Sequence, residues 1–344
     1  MAVIVLGAGA TRGASFVDPT VNPCLPPLDA DFHTQLQRIH DPKHKRIIDG
    51  VIKDTVELFG TNFRTTMETM FTTLEHSERM LKTTGEKRDF KTADFKEKRV
   101  RLQQAIASVF EESICRGNQK PLACDYHDAL VAKLRVGDSV VSFNYDCLID
   151  DALKRHGDGK WNAHYGYGFE LSPGGGGNLR GDHHWSPDRI ATRVDTVTLL
   201  KLHGSLHFIV DDEATPANVR LKERPYTRQR GNLRFTIIPP ESQKRFDEGV
   251  FARLWKLAGR ELYSSRSIVV IGYSFPATDL HSTALFRTNT KGGNLRALTI
   301  VNPDPEARRR TRDVLQRGIG PQTRVVVFNS LRDFTAADRK VWDP

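Results

Sequence analysis

The chain has 344 residues, 38% hydrophobic and 27% charged, enough apolar material for one large core or two smaller ones. Its formal net charge of +9 favours polyanionic partners, but the basic clusters Lys43–Arg46, Lys96–Arg101 and Arg308–Arg312 fall in helical patterns with no zinc-finger or RNA-recognition spacing, so direct nucleic-acid binding is not favoured. Cys24, Cys115, Cys124 and Cys147 form no Cys-x-x-Cys pair, and no apolar run reaches spanning length, which argues against a zinc site, a disulfide framework and a membrane and leaves a cytoplasmic protein as the expectation.

Val3–Leu6 is an apolar strand that runs directly into Gly7-Ala8-Gly9-Ala10-Thr11. In such a turn glycines let backbone N–H groups approach a diphosphate. The third glycine of the dehydrogenase fingerprint is missing, because position 12 is Arg and Gly13 comes too early. No helical period follows at once. Ser15–Leu28, with Pro19, Pro23, Pro26 and Pro27, reads as an irregular loop long enough to fold over a ligand. An ordinary hydride-transfer site is therefore not expected.

Residues 31–135 change character. Ile47, Ile48, Val51, Ile52 and Val56 recur at helical spacing, as do Met67, Met70, Phe71 and Leu74, then Leu102, Ile106, Val109 and Phe110. The pattern predicts an inserted region of three or more amphipathic helices, with the methionines in its core and a charged segment at 82–98.

Val140–Phe143 is a second buried strand, ending in Asn144-Tyr145-Asp146. Ligands of open α/β sheets bind outside the carboxyl ends of the strands. An amide and a carboxylate there can hold a ligand and oppose a developing cation. Equally, Asn144 can cap the helix beginning near Leu148, with Asp146 in its first turn. Residues 157–195 are rich in Gly and His and read as a flexible loop, in which His183-His184 lack the partners a metal needs. Thr196–Leu202 is a third strand, ending in His203-Gly204-Ser205. His203 there suits a general base or a histidine satisfied by a backbone carbonyl.

A basic, Pro-rich stretch at 211–247 holds a short strand, Phe235–Ile238, before Pro239-Pro240. The helix Phe251–Leu262 follows. Ile268–Ile271 runs into Gly272-Tyr273-Ser274-Phe275, with Asp279 beyond. Leu298–Val301 ends in Asn302-Pro303-Asp304, and an Arg-rich helix leads to a last strand, Val325–Phe328. Strands alternating with helices predict an α/β fold: a Rossmann-like doubly wound parallel sheet of about six strands with a helical insertion. The sheet domain would comprise residues 1–30 and 136–344, and the insertion residues 31–135.

These strand-end motifs, in this order, resemble the sirtuin family: Gly7-Ala8-Gly9, Asn144-Tyr145-Asp146, His203-Gly204, Gly272-Tyr273-Ser274 and Val301-Asn302. Deacetylating sirtuins carry four zinc-binding cysteines after the His-Gly motif, whereas this chain has no cysteine after Cys147, so no zinc is expected. Phe-Asn-Tyr-Asp, Leu-His-Gly and Gly-Tyr-Ser-Phe…Asp look more like the bacterial sirtuin-like proteins of antiphage defence, which hydrolyse NAD. The size looks most like the branch paired with a HerA-type ATPase. The resemblance implies a homo-oligomer with such an ATPase/helicase as partner and NAD+ as substrate, depleted during infection.

In that scheme the backbone of Gly7, Ala8, Gly9 and Ala10 holds the diphosphate, and Thr11 meets a phosphate or ribose oxygen where Ser is usual. Asn144 orients water and the ribose hydroxyls, Asp146 engages the nicotinamide carboxamide, and His203 is general base. Gly272, Ser274 and Asn302 line the adenosine half, and Asp279 supports that turn. The usual Pro-x-Phe-Arg is altered, since Pro27–Phe32 lacks the arginine. The alternative class is a non-hydrolysing NAD or ADP-ribose sensor or scaffold. Protein deacylation and ADP-ribosyl transfer stand behind it.

Overall fold

Among its described residues the computed structural model forms the strands β1 (Ala2–Leu6), β2 (Ser139–Ser142), β3 (Thr198–Lys201), β4 (Gly204–Asp211), β5 (Arg220–Leu221), β6 (Leu233–Ile237), β7 (Ser267–Ile271), β8 (Ala297–Val301) and β9 (Arg324–Phe328). The structure describes all residues except 88–90, 119, 173–182, 212–218, 227–232, 238–248 and 344. Gly174–Gly177 and Pro239-Pro240 lie outside the described residues.

Six strands make one parallel sheet in the order β3-β2-β1-β7-β8-β9. Parallel strands covered on both faces need no polar alternation, which is why β1, β7 and β8 are apolar or nearly so and buried at every position. Each Val, Leu or Ile so buried contributes about 1.5–3 kcal/mol. The backbone ladder continues one step past the strands: Leu202 N–H bonds Ser142 O, Phe143 bonds Leu6, Gly7 bonds Ile271, Gly272 bonds Val301 and Asn302 bonds Phe328. The polar residues that follow therefore leave the sheet at one level, along one rim. A second sheet, β5-β4-β6, is antiparallel and departs from the end of β3.

The helices are α1 (Ala8–Arg12), α2 (Phe32–Gln37), α3 (Lys45–Phe59), α4 (Met67–Thr84), α5 (Thr92–Phe110), α6 (Asp125–Lys133), α7 (Leu148–His156), α8 (Ala163–Gly166), α9 (Gly249–Ser264), α10 (Leu280–Asn289), α11 (Pro305–Leu315) and α12 (Leu331–Ala336). Helices α3, α4 and α5 pack together over Met70, Phe71, Leu74, Leu102 and Ile106, so the methionines are core, as their spacing predicts. Helix α6 behaves differently. Its Leu130 and Val131 join the sheet core, and it packs on α7. The layer covering the sheet thus begins inside 31–135 rather than after it.

Two further expectations change. A helix starts at once after Gly7, but α1 has five residues, too few to display a period. Residues 157–172 and 183–195 are not a loose loop. Trp161, Tyr167, Phe169 and Trp185 are buried, Trp161 Nε1 donates to Trp185 O (3.0 Å), and Trp185 Nε1 donates to Lys222 O (3.2 Å). Aromatic anchors outweigh the glycine density that suggested flexibility.

His33, on α2, is 6% exposed and sits edge-on to Phe32 and Phe63, and neither ring nitrogen has a hydrogen-bond partner among the described residues. Burial pushes its pKa down to about 4. An unfolded histidine titrates near 6.5, so below that pH the unfolded state holds more protons and stability falls toward pH 4. His33→Phe removes this acid liability. Urea unfolding at pH 7 and pH 5 should show the variant losing about 2 kcal/mol less than the parent; equal losses would show that His33 does not titrate as placed.

Candidate active site

The sheet order places five motifs in one row along the rim: His203 after β3, Asn144 after β2, Gly7 after β1, Gly272 after β7 and Asn302 after β8. The chain order reverses between β1 and β7, the switch point at which doubly wound sheets open a crevice.

The glycines at that point serve each other. A Cβ on Gly7 would meet Tyr273 Cα at 2.5 Å, and one on Gly9 would meet Gly272 Cα at 2.8 Å. Gly272 has φ +61°, and its Cβ would lie 2.2 Å from Ala10 N. The turns after β1 and β7 interlock backbone to backbone. Gly7 N–H bonds Ile271 O (3.0 Å), Gly9 N–H bonds Gly272 O (2.9 Å) and Ala10 N–H bonds Gly7 O (2.8 Å). Three of the four amides expected to face a diphosphate thus donate within the chain.

Thr11 and Asn144 extend this turn into a polar chain. Asn144 Nδ2 donates to Gly7 O (3.0 Å) and to Thr11 Oγ1 (3.1 Å), and the Thr11 hydroxyl donates to Asp146 Oδ2 (2.6 Å). Asp146 Oδ1 accepts the Leu148 N–H (3.0 Å). The first amide of α7 is therefore held by Asp146 and not by Asn144, while the N-cap residue Cys147 makes no side-chain cap. Each Asp146 oxygen accepts one such bond and keeps a lone pair for a further donor. Asn144 is 8% exposed, and its Oδ1 is buried with no hydrogen-bond partner among the described residues. A buried acceptor left over in this way calls for a donor from a ligand or water.

His203 is buried, with its ring edge-on to Phe143 (5.0 Å between centroids) and tilted against Tyr145 (6.5 Å). The residues on either side of Asn144 thus both touch the histidine. His203 Nε2 lies 3.5 Å from Asp279 Oδ2. That oxygen also accepts the Tyr273 hydroxyl (2.7 Å) and the Ser282 hydroxyl (2.7 Å). Phe143 stacks on Tyr273 at 4.2 Å. Asp279 was expected to support the turn after β7; it accepts the Tyr273 hydroxyl of that turn and, as N-cap residue of α10, also lies beside His203. A carboxylate behind an imidazole orients the ring and stabilises its protonated form.

Ser274 is half-buried, and its carbonyl accepts Arg310 Nε (2.8 Å). Asn302 Oδ1 accepts the Asp304 N–H (3.0 Å), so this side chain builds the turn into α11. The helical region reaches the same rim: Glu68, at the start of α4, accepts the Thr278 hydroxyl (2.6 Å) beside Asp279. Arg12, standing where the third glycine was sought, pairs with Asp31 and donates to Pro26 O (2.6 Å), pinning the proline-rich loop to α1.

Two buried groups escaped the sequence reading. Cys124 Sγ lies 3.1 Å from His127 Nδ1 and accepts the Ser15 N–H (3.5 Å); burial pushes the thiol up, but the His127 contact prevails and brings its pKa down to about 7. Behind the rim, Cys147 Sγ is 3.0 Å from His207 Nδ1, and His207 Nε2 is 3.4 Å from Asp150 Oδ1. These three have triad spacing but no solvent exposure. Burial raises the Cys147 thiol and pushes His207 down to about 3, so the thiol and imidazole stay neutral beside Asp150 and the set is packing rather than a nucleophile. The available signal was Lys201, a lysine inside an apolar strand, which requires a buried counter-charge.

Asp41, His44 and Glu112 bring ligand atoms within 4.8 Å of one another, away from the rim. Lys43 already pairs there with Asp41 (3.0 Å) and Glu111 (3.1 Å), so an ammonium supplies the cation. His184, on a short turn, faces Glu223 at 3.9 Å. No helix among the described residues is long and apolar enough to cross a membrane.

Among solved structures, a Sir2 homologue–NAD complex aligns with 97% of this chain and 85% of its own at 12% identity, with a TM-score of 0.42. A mutant Sir2 homologue with ADP-ribose covers 68% of this chain and 71% of its own at 14% identity and a TM-score of 0.35. Another, with 2′-O-acetyl ADP-ribose, covers the same shares at 14% identity and a TM-score of 0.34. No curated protein matches the chain. The SIR2-like domain family matches residues 138–319, just over half of the sequence and four of the five rim motifs. The chain belongs to the SIR2-like family.

Proposed function

We propose that this SIR2-like protein binds NAD+ along the rim and hydrolyses it to nicotinamide and ADP-ribose. The observation that carries the reading is the unpartnered, buried Asn144 Oδ1, held between two residues that both contact His203, with Asp279 behind the histidine.

Cleavage of the bond from nicotinamide to ribose C1′ passes through an oxocarbenium-like state, and nicotinamide leaves as a neutral group. The site must orient the ribose and water and stabilise positive charge. Asn144 Oδ1 accepts a hydrogen bond from the water or a ribose hydroxyl. His203 takes up the proton, and Asp279 stabilises the resulting imidazolium. Asp146, whose oxygens each accept one bond, from Thr11 and Leu148, keeps acceptor capacity for the nicotinamide carboxamide. Ser274 and Asn302 border the adenosine half.

The proposal extends, through the Phe143-Asn144-Tyr145-Asp146 and Gly272-Tyr273-Ser274-Phe275 patterns, to NAD depletion in antiphage defence by a cytoplasmic homo-oligomer with a HerA-type ATPase as partner. A second reading is an NAD or ADP-ribose sensor, which binds the same rim without turnover. The test is to incubate the protein with NAD+, alone and with the ATPase, and to follow products by chromatography. Equimolar nicotinamide and ADP-ribose are expected. Tight NAD+ binding with no product under either condition would establish the sensor instead.

A further inference from the structure

Lys201 closes β3, two residues before His203, and is fully buried. Its ammonium donates to Asp150 Oδ2 at 2.8 Å and to the backbone carbonyl of Asp146. Asp150, in the first turn of α7, is also fully buried, and its other oxygen accepts the Tyr167 hydroxyl at 2.7 Å. One ammonium thus joins the end of β3, the loop carrying Asn144 and Asp146, and α7. Ser205 adds a second tie across the same gap, its hydroxyl donating to Tyr145 O at 3.3 Å.

Burial disfavours charge on both partners. Each nevertheless keeps the other ionised: Asp150 holds the Lys201 pKa above its usual value, and Lys201 holds the Asp150 pKa below its own. Bringing two ions out of water costs several kcal/mol each, and a well-packed apolar pair in their place is often neutral or stabilising. Stability is therefore a poor account of this pair. What an apolar pair lacks is direction: an ammonium bonded to a backbone carbonyl sets the spacing between strand and loop.

We propose that Lys201 and Asp150 form a positioning pair that sets the Asn144–Asp146 loop against His203, so that Asn144 Oδ1 and the imidazole address the same reacting group. The effect on rate rests on the hydrolase reading above; the effect on the loop does not.

The test compares the parent with Lys201→Met/Asp150→Leu, which removes both charges together. Thermal unfolding establishes folding. Hydrogen exchange then reads the amides of residues 143–148, and NAD+ binding and turnover are measured alongside. The folded double variant should exchange those amides at least about tenfold faster than the parent, with β1 and β7 unchanged. Its kcat should fall about 10²-fold, with the Kd for NAD+ within about threefold. Parental exchange at 143–148 in the folded variant would overturn the proposal, as would parental kcat in an active protein. Should the parent release no nicotinamide, the hydrolase reading fails, and the exchange comparison still decides the positioning role. Should the apolar pair not fold, Lys201→Arg keeps the charge but alters its reach; unchanged exchange and kcat in that variant would overturn the proposal equally.

Discussion

Asn144→Ala and His203→Ala should each lower NAD+ turnover by about 10²–10⁴-fold while the protein stays folded. The two changes remove different things. Asn144→Ala deletes the unpartnered Oδ1 acceptor and, with it, the two bonds from Nδ2 to Gly7 O and Thr11 Oγ1. Those bonds together are worth about 1–3 kcal/mol, within the margin of a stable domain. His203→Ala deletes the proton acceptor but leaves Asp279 its bonds from Tyr273 and Ser282, so no buried carboxylate is stranded. Both side chains lie at strand ends rather than within the ladder, which is why folding should survive. The measurement is nicotinamide release at saturating NAD+, with circular dichroism and an unfolding curve for each variant. A folded His203→Ala protein working at the parental rate would remove His203 from the mechanism and return the rim to a binding role.

Gly272→Ala should destabilise the protein by about 3 kcal/mol or more, and should reduce whatever activity remains in the folded fraction. Gly272 has φ +61°, where an L side chain is strained, and the new methyl would stand 2.2 Å from Ala10 N and 2.4 Å from Gly9 C. Both neighbours are backbone, so no rotamer change relieves the contact. Gly293 provides the control. It has nearly the same dihedral, φ +62°, but nothing within 4 Å of its added Cβ. Gly293→Ala should cost only the conformational strain, about 1 kcal/mol. The difference between the two urea midpoints isolates the interlocking of the β1 and β7 turns. Equal losses would mean that the turns separate readily. Activity should follow the clash, because Gly7 carries the carbonyl that holds Asn144.

The order of the motifs along the rim was legible because it is a local property repeated five times. A short apolar run that ends in Gly, Asn or His marks both a buried strand and its mouth, and six parallel strands leave few topologies for those mouths to occupy. The roles of individual residues were less legible. Asn144 and Asp146 share one tripeptide, yet one keeps an unpartnered acceptor and the other holds the first amide of α7. Nothing within Asn144-Tyr145-Asp146 distinguishes them; the partners that do, Gly7 and Thr11, lie more than a hundred residues away. That Asp279 also lies beside His203 was illegible for the same reason, since the two residues are far apart in sequence.

By itself, then, the sequence determined the class of fold, the strands of the main sheet, the helical character of much of 31–135 and the residues that arrive at the rim. All of these follow from burial and from glycine, amide and imidazole chemistry at neighbouring positions. Tertiary structure alone decided that the Gly7–Gly9 turn closes on Gly272 and not on empty space, that α6 belongs to the sheet layer, that Trp161 and Trp185 are buried and hydrogen-bonded to distant backbone carbonyls, and that Lys201 finds Asp150. Each is a contact between distant positions, set by packing and by the need to neutralise buried charge, and such contacts leave no period in the chain to read.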